Sequence, residues 1–184
     1  MTNFPVHTIE TAPERSKPAL QQLQSAFGMI PNIAGAMATS PVLINSLVAL
    51  FGIVHGGSFT EAQVQTVLLT DAVTNACTWA VAFHTALALK EGIDPADVQA
   101  IRGGRLPWDH KLAALSALAR TMIEKRGRLN DEDVDRFIAA GFGKYHVLEV
   151  IAIVAASTIT NYTGSITKTP LEAPFQAHAW LDRA

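Results

Sequence analysis

Apolar positions along the chain recur at the three- and four-residue spacing of helix faces, and alternating strand-like runs are nearly absent, so the pattern predicts an all-α fold. Helix starts and stops are written in local chemistry. Ser40-Pro41 offers a hydroxyl N-cap followed by proline at the first helical position, where its missing N–H costs nothing. The helix it opens runs from about Pro41 to His55, and Gly56-Gly57 ends it. Thr60 with Gln63 fits a capping box, in which each side chain satisfies a backbone donor near the other, and it opens an apolar stretch through Val64, Val67, Leu68 and Ala72. Asp94-Pro95 with Asp97, and Asn130 with Asp133, repeat such starts, while Gly92, Gly127 and Gly141 supply stops.

The segment from Val147 to Ile159 is apolar on almost every face, which predicts the central helix, buried on all sides within the bundle or between subunits. Glu149 on that segment then requires a partner, because an unpaired carboxylate there would be costly. Leu47 to Val64 reads helix, glycine, apolar residue, cap, acid, valine, and Leu115 to Val134 repeats that order with two extra residues. A duplicated helical repeat and the general likeness of amphipathic helix pairs both account for this echo. Lys168 to Ala184 carries Pro170, Pro174, Phe175 and Trp180 without periodicity and reads as an extended tail pinned by its aromatics. One domain over residues 1–184 is the expected organisation, with a core motif at 59–92 and the tail at 168–184.

Composition narrows the function classes. Of 184 residues 49% are apolar and only 16% are charged, a low charge density for a monomer that predicts subunit contacts. A net charge of −2 provides no basic field for phosphate backbones, which argues against nucleic-acid binding. The longest near-apolar run, Val150 to Thr160, is too short to span a bilayer, and Met1 to Ser16 has no apolar signal core, so the expectation is a cytoplasmic protein without membrane attachment. The lone Cys77 cannot form an intrachain disulfide. Six histidines show no H-x-x-x-H or C-x-x-C spacing, so neither a metal nor any other cofactor is expected. His55 and His146 flank glycine-rich turns and read as surface or interface residues.

The most informative stretch runs from Phe59 to Gly92, FTEAQVQTVLLTDAVTNACTWAVAFHTALALKEG. It resembles the core of the alkylhydroperoxidase D and carboxymuconolactone decarboxylase family, where a helix bearing a glutamate leads to C-x-x-C-x-x-x-H at the start of the next helix. Cys77 stands at the first cysteine and His84 at the histidine. Ala80 stands where the second cysteine would be, and Gln65, twelve residues before Cys77, where the family has its glutamate. IPN at 30–32, SP at 40–41 and PLEAPF at 170–175 also resemble longer family members.

In family peroxidases, the resemblance implies, the second cysteine attacks peroxide, the histidine and glutamate handle protons, and the first cysteine closes the disulfide. Helical spacing places Cys77, Ala80 and His84 on one stripe. With no sulfur at position 80 no such disulfide forms, and Gln65 cannot take up a proton near neutral pH. Cys77 is then either a one-cysteine peroxidatic thiol or a small buried hydrophobe. His84 is either a general base or a core histidine satisfied by Gln65 or a carbonyl. Gln65 reads as a polar pocket residue, and Trp79 as packing in preference to a stacking surface for substrate. Two function classes follow. One is an enzyme using Cys77 and His84, peroxidase-like or decarboxylase-like, although decarboxylase members usually carry an acid where Ala80 stands. The other is a non-catalytic module in which Gln65, Trp79 and Ala80 surround a small-molecule ligand. Both fit a homo-oligomer, a trimer or hexamer by the family's habit.

Overall fold

Cap chemistry sets the helix boundaries in the computed structural model, which describes residues 4–181. Met1 to Asn3 and Asp182 to Ala184, the ends of the expected domain and tail, lie outside the described residues. A short 3-10 turn at Glu14–Ser16 precedes α1 (Lys17–Phe27) and α2 (Asn32–Met37). Ser40 Oγ accepts from the Leu43 N–H at 3.3 Å and opens α3 (Pro41–Val54), which His55 caps. The Thr60–Gln63 capping box is formed on both sides and opens α4 (Glu61–Thr74). Then come α5 (Thr78–Lys90), α6 (Pro95–Arg102) capped by Asp94, α7 (His110–Glu124), α8 (Asp131–Ala139) opened by an Asn130–Asp133 capping box, and α9 (Lys144–Thr167). No strand occurs among the described residues, and the fold is all-α.

The helix enclosed on every side is α4, not the segment the sequence pattern favours. Every residue from Val64 to Ala72 is buried, because α4 packs between α5, α7 and α9. Its faces feed two apolar clusters: Leu69 and Ala72 join Leu20, Ile44 and Val81, while Val64, Val67 and Leu68 join Leu115, Phe137 and Ile153. Each large apolar side chain so buried contributes roughly 1.5–3 kcal/mol relative to exposure.

Helix α9 is longer than the apolar run that announces it, and it is long and apolar enough to cross a membrane by length and composition alone. Its inner face packs on α2, α3, α4 and α5. Its outer face leaves Leu148, Ile151, Tyr162 and Ile166 exposed, so the expectation of burial on all sides does not hold within the chain. Glu149 finds its partner in Ser58, whose backbone N–H (3.1 Å) and hydroxyl (2.6 Å) both donate to Oε2. His146 Nδ1 accepts from the Gly143 N–H at 2.8 Å and so caps α9.

The tail folds back onto its own chain through a 3-10 helix at Ala173–His178. Glu172, buried, accepts from the Asn32 N–H at 2.5 Å and from Trp79 Nε1 at 2.9 Å, while Asn32 Nδ2 donates to the Pro170 carbonyl. The IPN and PLEAPF motifs, far apart in sequence, are therefore one contact. Further along, Phe175 packs edge-on to Phe83, and Trp180 Nε1 donates to the Arg102 carbonyl.

Candidate functional site

The turn between α4 and α5 sets the site. Ala76 takes a left-handed conformation (φ 52°), and the Cys77 N–H closes back on the Ala72 carbonyl at 2.9 Å, so that Cys77 becomes the N-cap of α5. A helix N-terminus favours a thiolate. Burial overrides it here. The Cys77 residue is 2% exposed, and desolvation pushes its thiol above the usual range despite opposing hydrogen bonds from the Ala80 and Trp79 backbone. Its Sγ lies against Gly164 of α9, only 2.8 Å from where a β-carbon on that glycine would stand.

Nearly two turns along α5 from Cys77, His84 is 3% exposed and hydrogen-bonded through Nδ1 to Gln65 Oε1 at 3.0 Å. Burial, aided by the positive charge His55 can carry, lowers its pKa to about 3. His84 is therefore a neutral imidazole at physiological pH, and a base that weak gives little driving force for abstracting a proton.

Both residues are best placed by reference to a cavity of about 410 Å³ bounded by α1, α3, α4 and α5. Phe27, Leu47, Val48, Phe51 and Phe83 supply most of its apolar wall, and Gln65, His84 and Thr160 are polar groups within it. Trp79, stacked on Phe83 at 4.8 Å, lines it as well. Cys77 and Ala80 are not among its lining residues, and Ala80 is fully buried. The expected stripe of Cys77, Ala80 and His84 thus sends only His84 to the cavity.

The structure adds a pair: His55, expected at the surface or at an interface, and Glu61. His55, half-buried at the end of α3, and Glu61, in the first turn of α4, both line the cavity, with His55 Nδ1 2.8 Å from Glu61 Oε2. They stand six positions apart across the Gly56-Gly57 turn, a spacing that carries no helical signature. Among the described residues no group of three or more His, Cys, Asp or Glu side chains is placed to hold a metal ion.

Away from the cavity, Asp71 of α4 is fully buried, and neither carboxylate oxygen has a hydrogen-bond partner among the described residues; the same is true of Asn161 Oδ1 on α9. Desolvation raises the Asp71 pKa well above the carboxylate range, and the nearby Ser157 hydroxyl opposes the rise without making a bond of normal geometry.

No protein-family model and no curated protein matches the sequence. Solved structures match its fold. An uncharacterized peroxidase-related protein from Ralstonia eutropha JMP134 with an alkylhydroperoxidase AhpD core superposes with a TM-score of 0.83 at 16% identity, over 94% of this chain and 93% of that one. An uncharacterized peroxidase-related protein from Silicibacter sp. TM1040 gives 0.77 at 16% identity, over 96% and 94%. A cysteine-to-alanine variant of the debrominase Bmp8, in complex with 2,3,4-tribromopyrrole, gives 0.76 at 16% identity, over 97% and 96%. The chain has the all-α fold of the alkylhydroperoxidase D core.

Proposed function

We propose that the chain binds a small, mostly apolar molecule in the cavity beside His84 and does not reduce peroxides through a dithiol cycle. The observation that carries this reading is the separation of the two chemistries: the cavity is walled by aliphatic and aromatic side chains, whereas the only sulfur of cysteine type is buried against Gly164 with Ala80 in place of a second thiol. Ligand sites are commonly apolar concavities with a few placed polar groups. A neighbour of the same fold is solved with a small halogenated ring, which supports a ligand of that size. His84 then orients the ligand. Any reaction that survives is non-redox, and a non-catalytic binding module is the simpler form of the proposal. Cytoplasmic residence belongs to the same reading, with the inner face of α9 packed on the bundle.

Gly52 provides the test. It lines the cavity from α3, and a β-carbon built on it meets nothing within 4 Å. Gly52→Leu is expected to fill the cavity, lower affinity for small aromatic fragments at least about tenfold, and hold or raise stability, since glycine inside a helix costs roughly 0.5–1 kcal/mol relative to alanine. Thermal-shift and calorimetric titration of both proteins would read this. In parallel, thioredoxin- or lipoyl-linked peroxide turnover is expected to stay below about 1 per second. Unchanged fragment binding in the variant would dismiss the cavity as the site, and turnover at enzymatic rates would dismiss the non-redox reading.

We also propose self-association through the outer face of α9. Leu148, Ile151, Ala155, Tyr162 and Ile166 fall close to a seven-residue repeat, and no charged residue interrupts the helix between Glu149 and its end at Thr167. The trimer or hexamer expected from sequence fits such a face, although the tail is engaged on its own chain. Light scattering is expected to give a multiple of 19.7 kDa. Ile151→Lys with Tyr162→Lys should weaken assembly by about 100-fold, the scale of two central interface side chains; a monodisperse monomer for the unaltered chain would end this proposal.

A further inference from the structure

The polar end of the cavity holds two imidazoles, each with one ring nitrogen already committed. His84 Nδ1 meets Gln65 Oε1, and His55 Nδ1 meets Glu61 Oε2. A carbonyl or carboxylate oxygen only accepts hydrogen bonds, so in both rings Nδ1 carries the proton, and in the neutral His84 ring Nε2 keeps the lone pair. Neither Nε2 has a hydrogen-bond partner among the described residues. His84 is more than nine-tenths buried and lines the cavity, so its free acceptor faces a space that a ligand would occupy. His84 Nε2 is not among the enclosed side-chain atoms without a partner, so it is open to the cavity, where a donor on the ligand would meet it.

Charge sharpens the selection. Glu61 places a carboxylate at this end of the cavity, against His55, and His84, held neutral by burial, adds no positive charge. Lys90 lines the cavity too, next to Glu91, and His84 Nε2 has no proton to offer a carboxylate. Resting on the reading of the cavity as a ligand site, we infer that its ligand is a neutral aromatic molecule with an O–H or N–H donor, a phenol- or azole-type compound. That donor binds His84 Nε2, the His55–Glu61 pair takes a second donor where the ligand has one, and carboxylates are refused.

Three probes of nearly equal size test this: 4-nitrophenol, 4-nitroanisole and 4-nitrobenzoate, titrated calorimetrically at about pH 6, where a phenol is neutral and a carboxylic acid ionised. The phenol is expected to bind at least about tenfold more tightly than its methyl ether, the worth of one well-made hydrogen bond at roughly 1.4 kcal/mol, and the benzoate most weakly. His84→Leu should bring the ratio of phenol to ether towards one. Glu61→Gln, at a half-exposed position that leaves the core untouched, should improve benzoate binding at least about tenfold. Equal binding of phenol and ether by the unaltered protein, or tightest binding of the benzoate, would overturn the inference while leaving the cavity as a binding site. Binding of none of the three, with no shift on fragment screening, would overturn both.

Discussion

Asp71→Asn is expected to gain on the unaltered protein by at least about 2 kcal/mol as pH rises from 4 to 8, at about 1.4 kcal/mol per unit over the range in which only the unfolded chain ionises. The reason is linkage. Asp71 is fully buried with both oxygens unpartnered, and its pKa in the folded state lies well above the ordinary carboxylate value. Above the unfolded pKa of about 3.9 the unfolded chain releases this proton and the folded chain keeps it, so stability falls with rising pH, by about 1.4 kcal/mol per unit, until the folded group also ionises. Asparagine has no proton to release. His84 has the opposite slope: its folded pKa of about 3 lies below the usual 6.5, so its contribution is complete above 6.5 and is lost as pH falls towards 3. The two trends oppose one another between pH 4 and 6.5, and above that range the Asp71 slope stands alone. Urea denaturation of both proteins at several pH values would show this. A difference between them that stays constant with pH would mean that Asp71 ionises as readily folded as unfolded.

Glu172→Ala is expected to cost about 3 kcal/mol and to lower Tm by about 10 °C, at the 2–4 °C per kcal/mol of chains this long. One buried carboxylate joins the tail to the Asn32 N–H at the start of α2 and to the Trp79 indole on α5. Its removal leaves one buried and one half-buried donor unmet, and hydrogen bonds to charged groups are worth about 1.5–3 kcal/mol each. Indole fluorescence should shift to the red in the same variant as water reaches Trp79. Glu172→Gln, which keeps an acceptor oxygen, should retain part of the loss. A thermal midpoint within about 2 °C of the unaltered protein would show that Phe175 and Trp180 hold the tail unaided.

What could be read from the sequence was what local chemistry decides. The Ser40, Thr60, Asp94 and Asn130 caps need only residues within one turn, and all four are made. The length of α9 was hidden by its Ser, Thr and Asn residues, which look like a break in an apolar run. In the helix Thr158, Thr163 and Thr167 instead donate to carbonyls one turn back. The Gln65–His84 contact was one of the alternatives the sequence offered, because both lie in the motif that sets the fold. His55 with Glu61 was not legible, since a glycine turn reverses the chain between them. Asp71 gave no sign either: an acid in a helix ordinarily points to solvent, and only the packing of α5, α7 and α9 around α4 encloses it.

The contact between Cys77 and Gly164 makes the order of change matter. A methyl group at position 164 would stand 2.8 Å from Cys77 Sγ and 3.2 Å from Ile33 Cδ1, so Gly164→Ala made first creates an overlap inside a packed core. Cys77→Ala made first removes the nearer obstacle and leaves a small hollow, which the later methyl partly fills. The same double variant is thus reached through a strained intermediate by one route and a merely loosened one by the other. A sulfur with no part in the chemistry proposed for the cavity still decides which neighbouring substitutions are open to the chain, and its loss would have to precede theirs.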